Sequence, residues 1–289
     1  MTWSGGAGEN PVDLAIADLD EDGLADLAVA NHETDYVTLL FGIAEGGFER
    51  RDHSRFRVGV SPHPHAVRLQ DIDYDGHADL LVDDRSPESI RLFRGRGDGT
   101  FSAATSIDVG GDPYRGMRLA DVTGDGLADL ITPNPDHVAV LVAEEDGGFR
   151  PRATLPTPFG PFSVVAADLN GDGRADVAAA SGEGAGSLAT RHGLADGAFR
   201  AAGRYEIASG PTKSAAADLN GDGSAEVLVA SYAGGEVAVL VGGDTPVLLR
   251  IEIVGSPYGL ATGDFDGNGR LDFAVANDAA DYVSVFLTR

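Results

Sequence analysis

Short apolar segments separated by turns rich in Gly and Asp recur along the whole chain. Each holds about five to seven residues rich in Val, Leu and Ile, which is the length and composition of a buried strand. Between residues 65 and 109 there are four such segments in turn: HAVRLQ, DLLVDD, SIRLF and SAATSIDV. Four strands in a unit of about 45 to 50 residues predict the blade of a β-propeller.

A second turn follows the third strand of most units and ends in Phe. It reads EGGF, GDGTF, EDGGF and ADGAF in the first four units, whereas GGDTPV takes its place in the fifth. The sixth unit stops after its third strand, DYVSVFLTR. We therefore predict that Met1–Asn10 supply its fourth strand and close the ring, so that no sheet edge stays open. The expected fold is one all-β domain over residues 1–289, a six-bladed β-propeller of four-stranded blades.

One nine-residue motif lies between the first and second strands of every unit. Its copies begin 46 to 53 residues apart and read DLDEDGLAD (18–26), DIDYDGHAD (71–79), DVTGDGLAD (121–129), DLNGDGRAD (168–176), DLNGDGSAE (218–226) and DFDGNGRLD (264–272). Oxygen-bearing side chains occupy positions 1, 3, 5 and 9, and Gly occupies position 6. Alternate side chains of a curled loop point toward one centre, and such an oxygen set suits Ca²⁺ better than Mg²⁺ or Zn²⁺.

The predicted calcium ligands occupy the same four positions in all six loops. We expect up to six Ca²⁺ ions, held by Asp18, Asp20, Asp22 and Asp26; Asp71, Asp73, Asp75 and Asp79; Asp121, Thr123, Asp125 and Asp129; Asp168, Asn170, Asp172 and Asp176; Asp218, Asn220, Asp222 and Glu226; Asp264, Asp266, Asn268 and Asp272. An EF-hand would need a carboxylate at position 12, where the chain has Val, Thr or Ala, and a helix where it has a strand pattern. The third loop should bind most weakly, because Thr123 replaces a carboxylate.

These loops and the strands around them resemble the FG-GAP or VCBS repeats of calcium-binding β-propellers, which are related to the blades of integrin α-subunits. The resemblance covers nearly the whole chain. It implies that the connections between blades lie opposite the calcium loops, around the channel mouth where ligands commonly bind. It does not identify the ligand, since the family includes adhesion modules, lectins and domains attached to or acting as enzymes.

The chain is strongly acidic, with a formal net charge of −25, and 21 of its 46 acidic residues lie in the six loops. Six Ca²⁺ ions would reduce the net charge to about −13, so we expect chelation to destabilise the fold. The acidic surface argues against nucleic acid and anionic membranes as partners. A small molecule, a glycan or a protein is the expected ligand of a monomeric chain, and the absence of Cys excludes disulfides.

No apolar segment approaches the ~18 residues of a membrane span. The first residues, MTWSGGAGEN, also lack the basic and apolar regions of a signal peptide. The family resemblance implies an extracellular or cell-surface location. The lack of a signal in this sequence leaves a cytoplasmic location open.

The connections between blades supply the candidate ligand-binding residues. The side chains beside the Pro of each connection differ from blade to blade, and loops between second and third strands add others, such as His32 and Tyr232. The second blade departs furthest, with His63 and His65 near its Pro and with two Asp where other blades have a small and a polar residue. The predicted ligand-binding or catalytic residues are His63, His65, Asp83, Arg115, Lys213 and Tyr258.

Three functions fit these features. The first is non-enzymatic binding of one ligand, because the candidate positions diverge between blades instead of repeating. The second is an enzyme, such as a lyase, isomerase or cyclase, because an Asp and a His together suit proton transfer. No nucleophile elbow, phosphate loop or zinc motif supports a more specific reaction. The third is a structural adhesion domain held together by calcium.

Overall fold

A computed structural model describes residues 6, 8–86, 88–113, 116–157, 160–182, 185–195, 197–243 and 245–289. These residues form 24 strands and no helix, and hence no helix that could cross a membrane. The strands make six antiparallel sheets, and each sheet is a meander whose strands follow chain order. The chain is therefore an all-β, six-bladed β-propeller, as the repeats predict.

The chain divides into two compact units, Met1–Met117 with Ala143–Pro151, and Arg118–Val142 with Arg152–Arg289. The first unit contains the first two sheets. The first sheet comprises β1 (Pro11–Ala17), β2 (Asp26–Asn31), β3 (Tyr36–Gly42), β4 (Phe48–Glu49) and β5 (Arg55–Arg57). Both β4 and β5 pair with β3, so the outer strand of this blade is split in two. The second sheet comprises β6 (Val67–Gln70), β7 (Asp79–Asp84), β8 (Ser89–Phe93) and β9 (Thr105–Asp108).

The remaining four sheets follow the same order of strands. The third sheet comprises β10 (Arg118–Ala120), β11 (Asp129–Pro133), β12 (His137–Ala143) and β13 (Phe149–Pro156). The fourth comprises β14 (Pro161–Ala167), β15 (Asp176–Ser181), β16 (Gly186–Gly193) and β17 (Phe199–Ile207). The fifth comprises β18 (Pro211–Ala217), β19 (Glu226–Ser231), β20 (Glu236–Val241) and β21 (Val247–Glu252). The sixth comprises β22 (Pro257–Gly263), β23 (Asp272–Asn277) and β24 (Tyr282–Phe286).

The predicted closing strand is not confirmed. Within the described residues the sixth sheet has three strands. Residues 1–5 and 7 lie outside the described residues, so most of the segment Met1–Asn10 is not placed. Its described part lies against the first sheet, where Arg50 donates a hydrogen bond to the carbonyl of Gly6 and Gly8 lies close to Asn31.

Within each unit, the core consists mainly of the middle strands of one sheet packed on those of the neighbouring sheet. In the first unit Val37, Leu39 and Phe41 of β3 pack in one cluster with Leu80 and Val82 of β7, and all five are fully buried. A middle strand packs on both faces, which explains why these segments read as continuous apolar runs rather than as an alternating pattern.

The inner strand begins differently in the second blade. In the first, fourth, fifth and sixth blades a Pro begins it and pairs with the last residue of the second strand, and a bulge follows directly. In the second blade the inner strand begins only at Val67, three residues after Pro64. Residues 58–66 therefore form a connection outside any strand.

Candidate functional site

Each acidic loop curls around its first Asp. In the fourth loop the backbone N–H groups of Gly171, Asp172 and Gly173 donate to the carboxylate of Asp168 over 2.7, 3.2 and 2.7 Å. Both Gly residues have positive φ, at 77° and 80°, which turns the three N–H groups inward. The same three donors surround the first Asp of the fifth and sixth loops, Asp218 and Asp264. The motif therefore prescribes the shape of the loop through local hydrogen bonds.

The ninth residue ties its loop to the end of the third strand. Asp176 is fully buried; its Oδ2 accepts the N–H of Leu169 at 3.1 Å and its Oδ1 accepts that of Gly193 at 2.8 Å. Asp26, Asp79 and Asp272 accept an equivalent pair of backbone bonds. Burial raises the pKa of the Asp176 carboxyl, and the two N–H groups oppose that shift. The predicted ligand at this position thus also holds two parts of the blade together.

The carboxylates of three loops converge in a way that fits a hard cation. In the first, second and sixth loops one oxygen from each of three side chains lies within 4.8 Å of the others; the sets are Asp18, Asp20 and Asp22; Asp71, Asp73 and Asp79; Asp264, Asp266 and Asp272. Buried Oδ1 atoms of Asp18, Asp20 and Asp73 accept no hydrogen bond from the described residues. A buried carboxylate oxygen without a donor is costly unless a cation neutralises it. These donor sets therefore fit Ca²⁺.

Two Arg residues reduce the negative charge of the first two loops. The Arg51 guanidinium pairs with Asp20 at 2.5 Å, and that of Arg94 pairs with Asp73 at 3.4 Å and with Asp79 at 2.8 Å. Sequence analysis missed both residues, because neither belongs to the repeated motif. A guanidinium close to a loop repels a Ca²⁺ ion that binds there. The number of carboxylates alone therefore does not determine the order of calcium affinity among the loops.

Three His side chains meet in the first unit at the strand ends opposite the acidic loops. His32 follows β2, while His63 and His65 lie in the connection before β6. The ring centroids lie 3.8 Å apart for His32 and His63, 4.8 Å for His32 and His65, and 4.6 Å for His63 and His65. One nitrogen of each ring lies within 4.8 Å of the other two. We call these three residues the histidine cluster.

The two Asp residues that depart from the repeat hold the connection in place. Asp83 Oδ1 accepts the backbone N–H groups of His65 at 2.8 Å and Ala66 at 2.7 Å, and Asp84 Oδ1 accepts that of Ser61 at 3.0 Å. Both carboxylates are buried. They replace the strand pairing that the first, fourth, fifth and sixth blades have at this point. The two Asp residues therefore have a structural role beside any chemical one.

Asp83 also faces the imidazole of His65. Its Oδ2 lies 3.5 Å from His65 Nδ1 and accepts no hydrogen bond from the described residues. A small rotation of the ring would let Nδ1 donate to this carboxylate, which would leave Nε2 as an acceptor. Burial lowers the pKa of the His63 imidazole, and positive charge on His32, His65 or Arg85 lowers it further. The neutral form of His63 is therefore favoured at neutral pH.

The structure brings together three of the six predicted ligand-binding or catalytic residues, namely His63, His65 and Asp83. Arg115 lies outside the described residues. Lys213 lies on β18 and Tyr258 on β22, both in the second unit. The two strands are in contact where Thr212 Oγ1 donates a hydrogen bond to the carbonyl of Tyr258 at 2.9 Å. His32 completes the cluster. Sequence analysis named it only as one of several residues in the loops between second and third strands, and no sequence pattern linked it to His63.

A small aromatic surface surrounds Tyr258 in the second unit. Its ring is half exposed and lies edge-on to that of Tyr232, with centroids 6.3 Å apart. The Tyr232 hydroxyl donates to Asp278 Oδ2 at 3.2 Å. Exposed aromatic rings beside a carboxylate can stack on a sugar and accept its hydroxyl groups.

A cavity of about 500 Å³ lies between the fourth and fifth sheets. Sequence analysis did not predict this cavity. Its lining includes Leu169, Asn170, Tyr205, Leu240, Gly242 and Pro246. In the second and fourth blades the Phe of the second turn, Phe101 or Phe199, packs against the core between sheets. The fifth repeat lacks this Phe, so the space stays unfilled.

The fold and the loops define the class of protein: a β-propeller whose blades share an acidic loop in their first hairpin. A family model described as an FG-GAP-like repeat matches residues 18–82, 71–132, 121–179, 168–229 and 218–275. The chain therefore belongs to the FG-GAP-like repeat family. No curated protein matches it in sequence.

Several solved structures share the fold. The periplasmic gluconolactonase PpgL of Pseudomonas aeruginosa is 19% identical, over 97% of this chain and 84% of its own, with a TM-score of 0.65. An Agrocybe aegerita lectin that recognises non-reducing terminal N-acetylglucosamine is 19% identical, over 93% and 78%, with a TM-score of 0.61. BBS1N, solved in complex with ARL6DN, is 12% identical, over 98% and 79%, with a TM-score of 0.64. At these identities the similarity establishes the propeller fold alone.

Proposed function

We propose that the chain is a calcium-stabilised β-propeller that binds one ligand at the strand ends opposite its acidic loops, in the first unit. The observation that carries this proposal is the convergence of the histidine cluster on the buried carboxylate of Asp83. The repeat does not require these side chains, because the other blades build the same hairpin without them. Side chains that the fold does not need are candidates for binding.

The acidic loops support the calcium part of the proposal. Their oxygens converge in three loops, and buried oxygens among them lack donors from the described residues. Ca²⁺ would neutralise this charge and complete the loops, which places the ions in a stabilising role. The resemblance to FG-GAP repeats implies an extracellular or cell-surface location, and we propose this location for the chain.

The cluster favours a small polar ligand over a protein. Its rings are partly buried, and the side chain of His65 is only 13% exposed, so these rings do not project as anchors for a flat protein surface. Imidazole nitrogens can bind hydroxyl groups or an anion, and Arg85, which is paired with Asp112 at 3.2 Å, adds positive charge near the cluster. A carbohydrate or a small anionic molecule fits this chemistry best. Among the solved structures that share the propeller fold, one is a lectin that recognises N-acetylglucosamine and one is a gluconolactonase, which supports this choice of ligand.

A glycan array and a panel of sugar acids, both in millimolar Ca²⁺, test this function. We expect one ligand per chain, with binding lost in His65→Ala and kept in His192→Ala, a histidine outside the cluster. The melting temperatures of both variants should match that of the parent protein. A stoichiometry near six per chain, or full binding by His65→Ala, would contradict a single site at the cluster.

An enzyme is the second candidate, favoured by the pairing of Asp83 with His65. A buried carboxylate that orients an imidazole is a common arrangement for a general base. Turnover of a panel of lactones and acidic glycans would test it. Loss of turnover in His65→Ala with an unchanged melting temperature would support catalysis, and an inactive parent protein would exclude it for those substrates.

A further inference from the structure

We propose that His32, His63 and His65 form a binding site for one divalent transition-metal ion, with Zn²⁺ as the representative occupant. Three imidazole nitrogens would supply three ligands, and the fourth position would be open to water or to an oxygen of an anionic ligand. The site is distinct from the acidic loops and does not depend on the ligand proposed above.

The chemistry of the donors separates this site from the loops. The cluster offers nitrogen from three imidazoles, whereas the loops offer oxygen from carboxylates and amides. Imidazole suits Zn²⁺, Cu²⁺ and Ni²⁺, while oxygen donors suit Ca²⁺. The two kinds of site would therefore select different ions from the same solution.

The positions of the rings are close to those that coordination needs. Tetrahedral Zn²⁺ with nitrogens at 2.0 to 2.1 Å puts the ligand atoms about 3.3 Å apart, and in this structure they lie within 4.8 Å of one another. Rotations that move the nitrogens by about an ångström would close the difference. Neither His32 nor His63 lies in a strand, so neither ring is constrained by the ladder of a sheet.

A second observation, independent of the three rings, is the carboxylate behind one of them. Asp83 is fully buried, and its Oδ2 lies 3.5 Å from His65 Nδ1. A carboxylate at one ring nitrogen directs the other toward a metal, and metal-binding histidines commonly have such a partner. Asp83 is itself fixed by the N–H groups of His65 and Ala66. It is therefore a positioning residue.

Chance contact is a poor explanation of the cluster. The chain has seven His, and three of them meet here from two segments that are about thirty residues apart in sequence. Imidazole rings in tilted and edge-on contact, as these are, add little stability by themselves. An ion between the rings would turn this arrangement into a favourable one.

The direct test is a calorimetric titration of the whole chain with Zn²⁺ in millimolar Ca²⁺, which keeps the acidic loops saturated. We expect one Zn²⁺ per chain with a dissociation constant in the micromolar range or tighter. Co²⁺ at the same site should give the visible absorption of a tetrahedral nitrogen environment. His32→Ala and His63→Ala should each weaken Zn²⁺ binding by about 100-fold or more, and His192→Ala should leave it unchanged. Absence of binding, or unchanged binding by His63→Ala, would overturn the site.

Asp83→Asn and Asp84→Asn form a matched pair that separates positioning from folding. Both residues are buried and both hold the same connection, but only Asp83 faces a cluster histidine. We expect Asp83→Asn to weaken Zn²⁺ binding by about 10 to 100-fold and Asp84→Asn to leave it unchanged. Equal losses in both would reduce Asp83 to a structural role. The Zn²⁺ titration contains no glycan or other organic ligand, so a failed glycan screen would not affect the conclusion about Zn²⁺ binding.

Discussion

The two ends of the strands in the first unit are specified in different ways. At one end the repeated motif builds similar loops in both blades, with Asp26 and Asp79 tying each loop to its third strand. At the other end the histidine cluster is assembled from segments that share no motif. Repetition suits a task that every blade performs, such as stabilisation, whereas a cluster that occurs once suits recognition or chemistry. Four predictions test this division, beginning with the largest effect.

Removal of calcium should cause the largest loss of stability. A site saturated at 100 times its dissociation constant contributes about 2.7 kcal/mol, and 1 kcal/mol shifts the melting temperature of a chain this size by roughly 2 to 4 °C. With several loops emptied, we expect chelator to lower the melting temperature by more than about 10 °C. Calorimetry measures the melting temperature, first in excess EDTA and then after Ca²⁺ or Zn²⁺ is added back in excess of the chelator. An unchanged melting temperature, or rescue by Zn²⁺ alone, would refute a stabilising role for the loops.

Asp176→Ala should be destabilising with and without calcium, because it leaves the buried N–H groups of Leu169 and Gly193 without their acceptor. Each of the two unsatisfied donors costs about 1 to 3 kcal/mol, so we expect a loss of roughly 2 to 6 kcal/mol in urea unfolding. Asp172→Ala removes an exposed side chain of the same loop and should matter only in calcium. If both variants lost stability only in calcium, position 9 would act as a ligand and not as a link to β16.

Thr123→Asp should strengthen the third loop, which has the weakest predicted donor set. We expect this loop to empty first during titration with a chelator, and the added carboxylate to raise its calcium affinity about tenfold, or ~1.4 kcal/mol. Calcium titrations of the parent protein and the variant measure the change. Loss of all ions at a single chelator concentration in the parent protein would argue against the ranking.

His63→Ala should have the smallest effect on stability while abolishing ligand and Zn²⁺ binding. The connection that carries His63 is held by backbone bonds to Asp83 and Asp84, which this change leaves in place. We expect a loss below about 1 kcal/mol in urea unfolding. A loss as large as that of Asp176→Ala would show that the cluster, like the loops, mainly supports the fold.

The position of the acidic side chains in the second blade illustrates how far sequence analysis reaches. The departure of Asp83 from the repeat was visible, and so were its two histidine neighbours in the connection. Its bonds to the backbone of His65 and Ala66 were not, because they depend on how far the connection leaves the sheet. Arg51 and Arg94 were missed for a similar reason, since these ion pairs with the loops come from the segments that follow β4 and β8, outside the repeated motif.

Sequence alone determined the blades, their number and the position of the acidic loops, because a turn and the strand that follows it depend on a few neighbouring residues. The strand after each loop does begin at the ninth residue of the motif, from Asp26 in the first blade to Asp272 in the sixth. Tertiary structure decided which polar side chains meet. His32 reaches His63 only because the end of β2 and the start of β6 lie on the same side of adjacent sheets, and no local pattern encodes that distance.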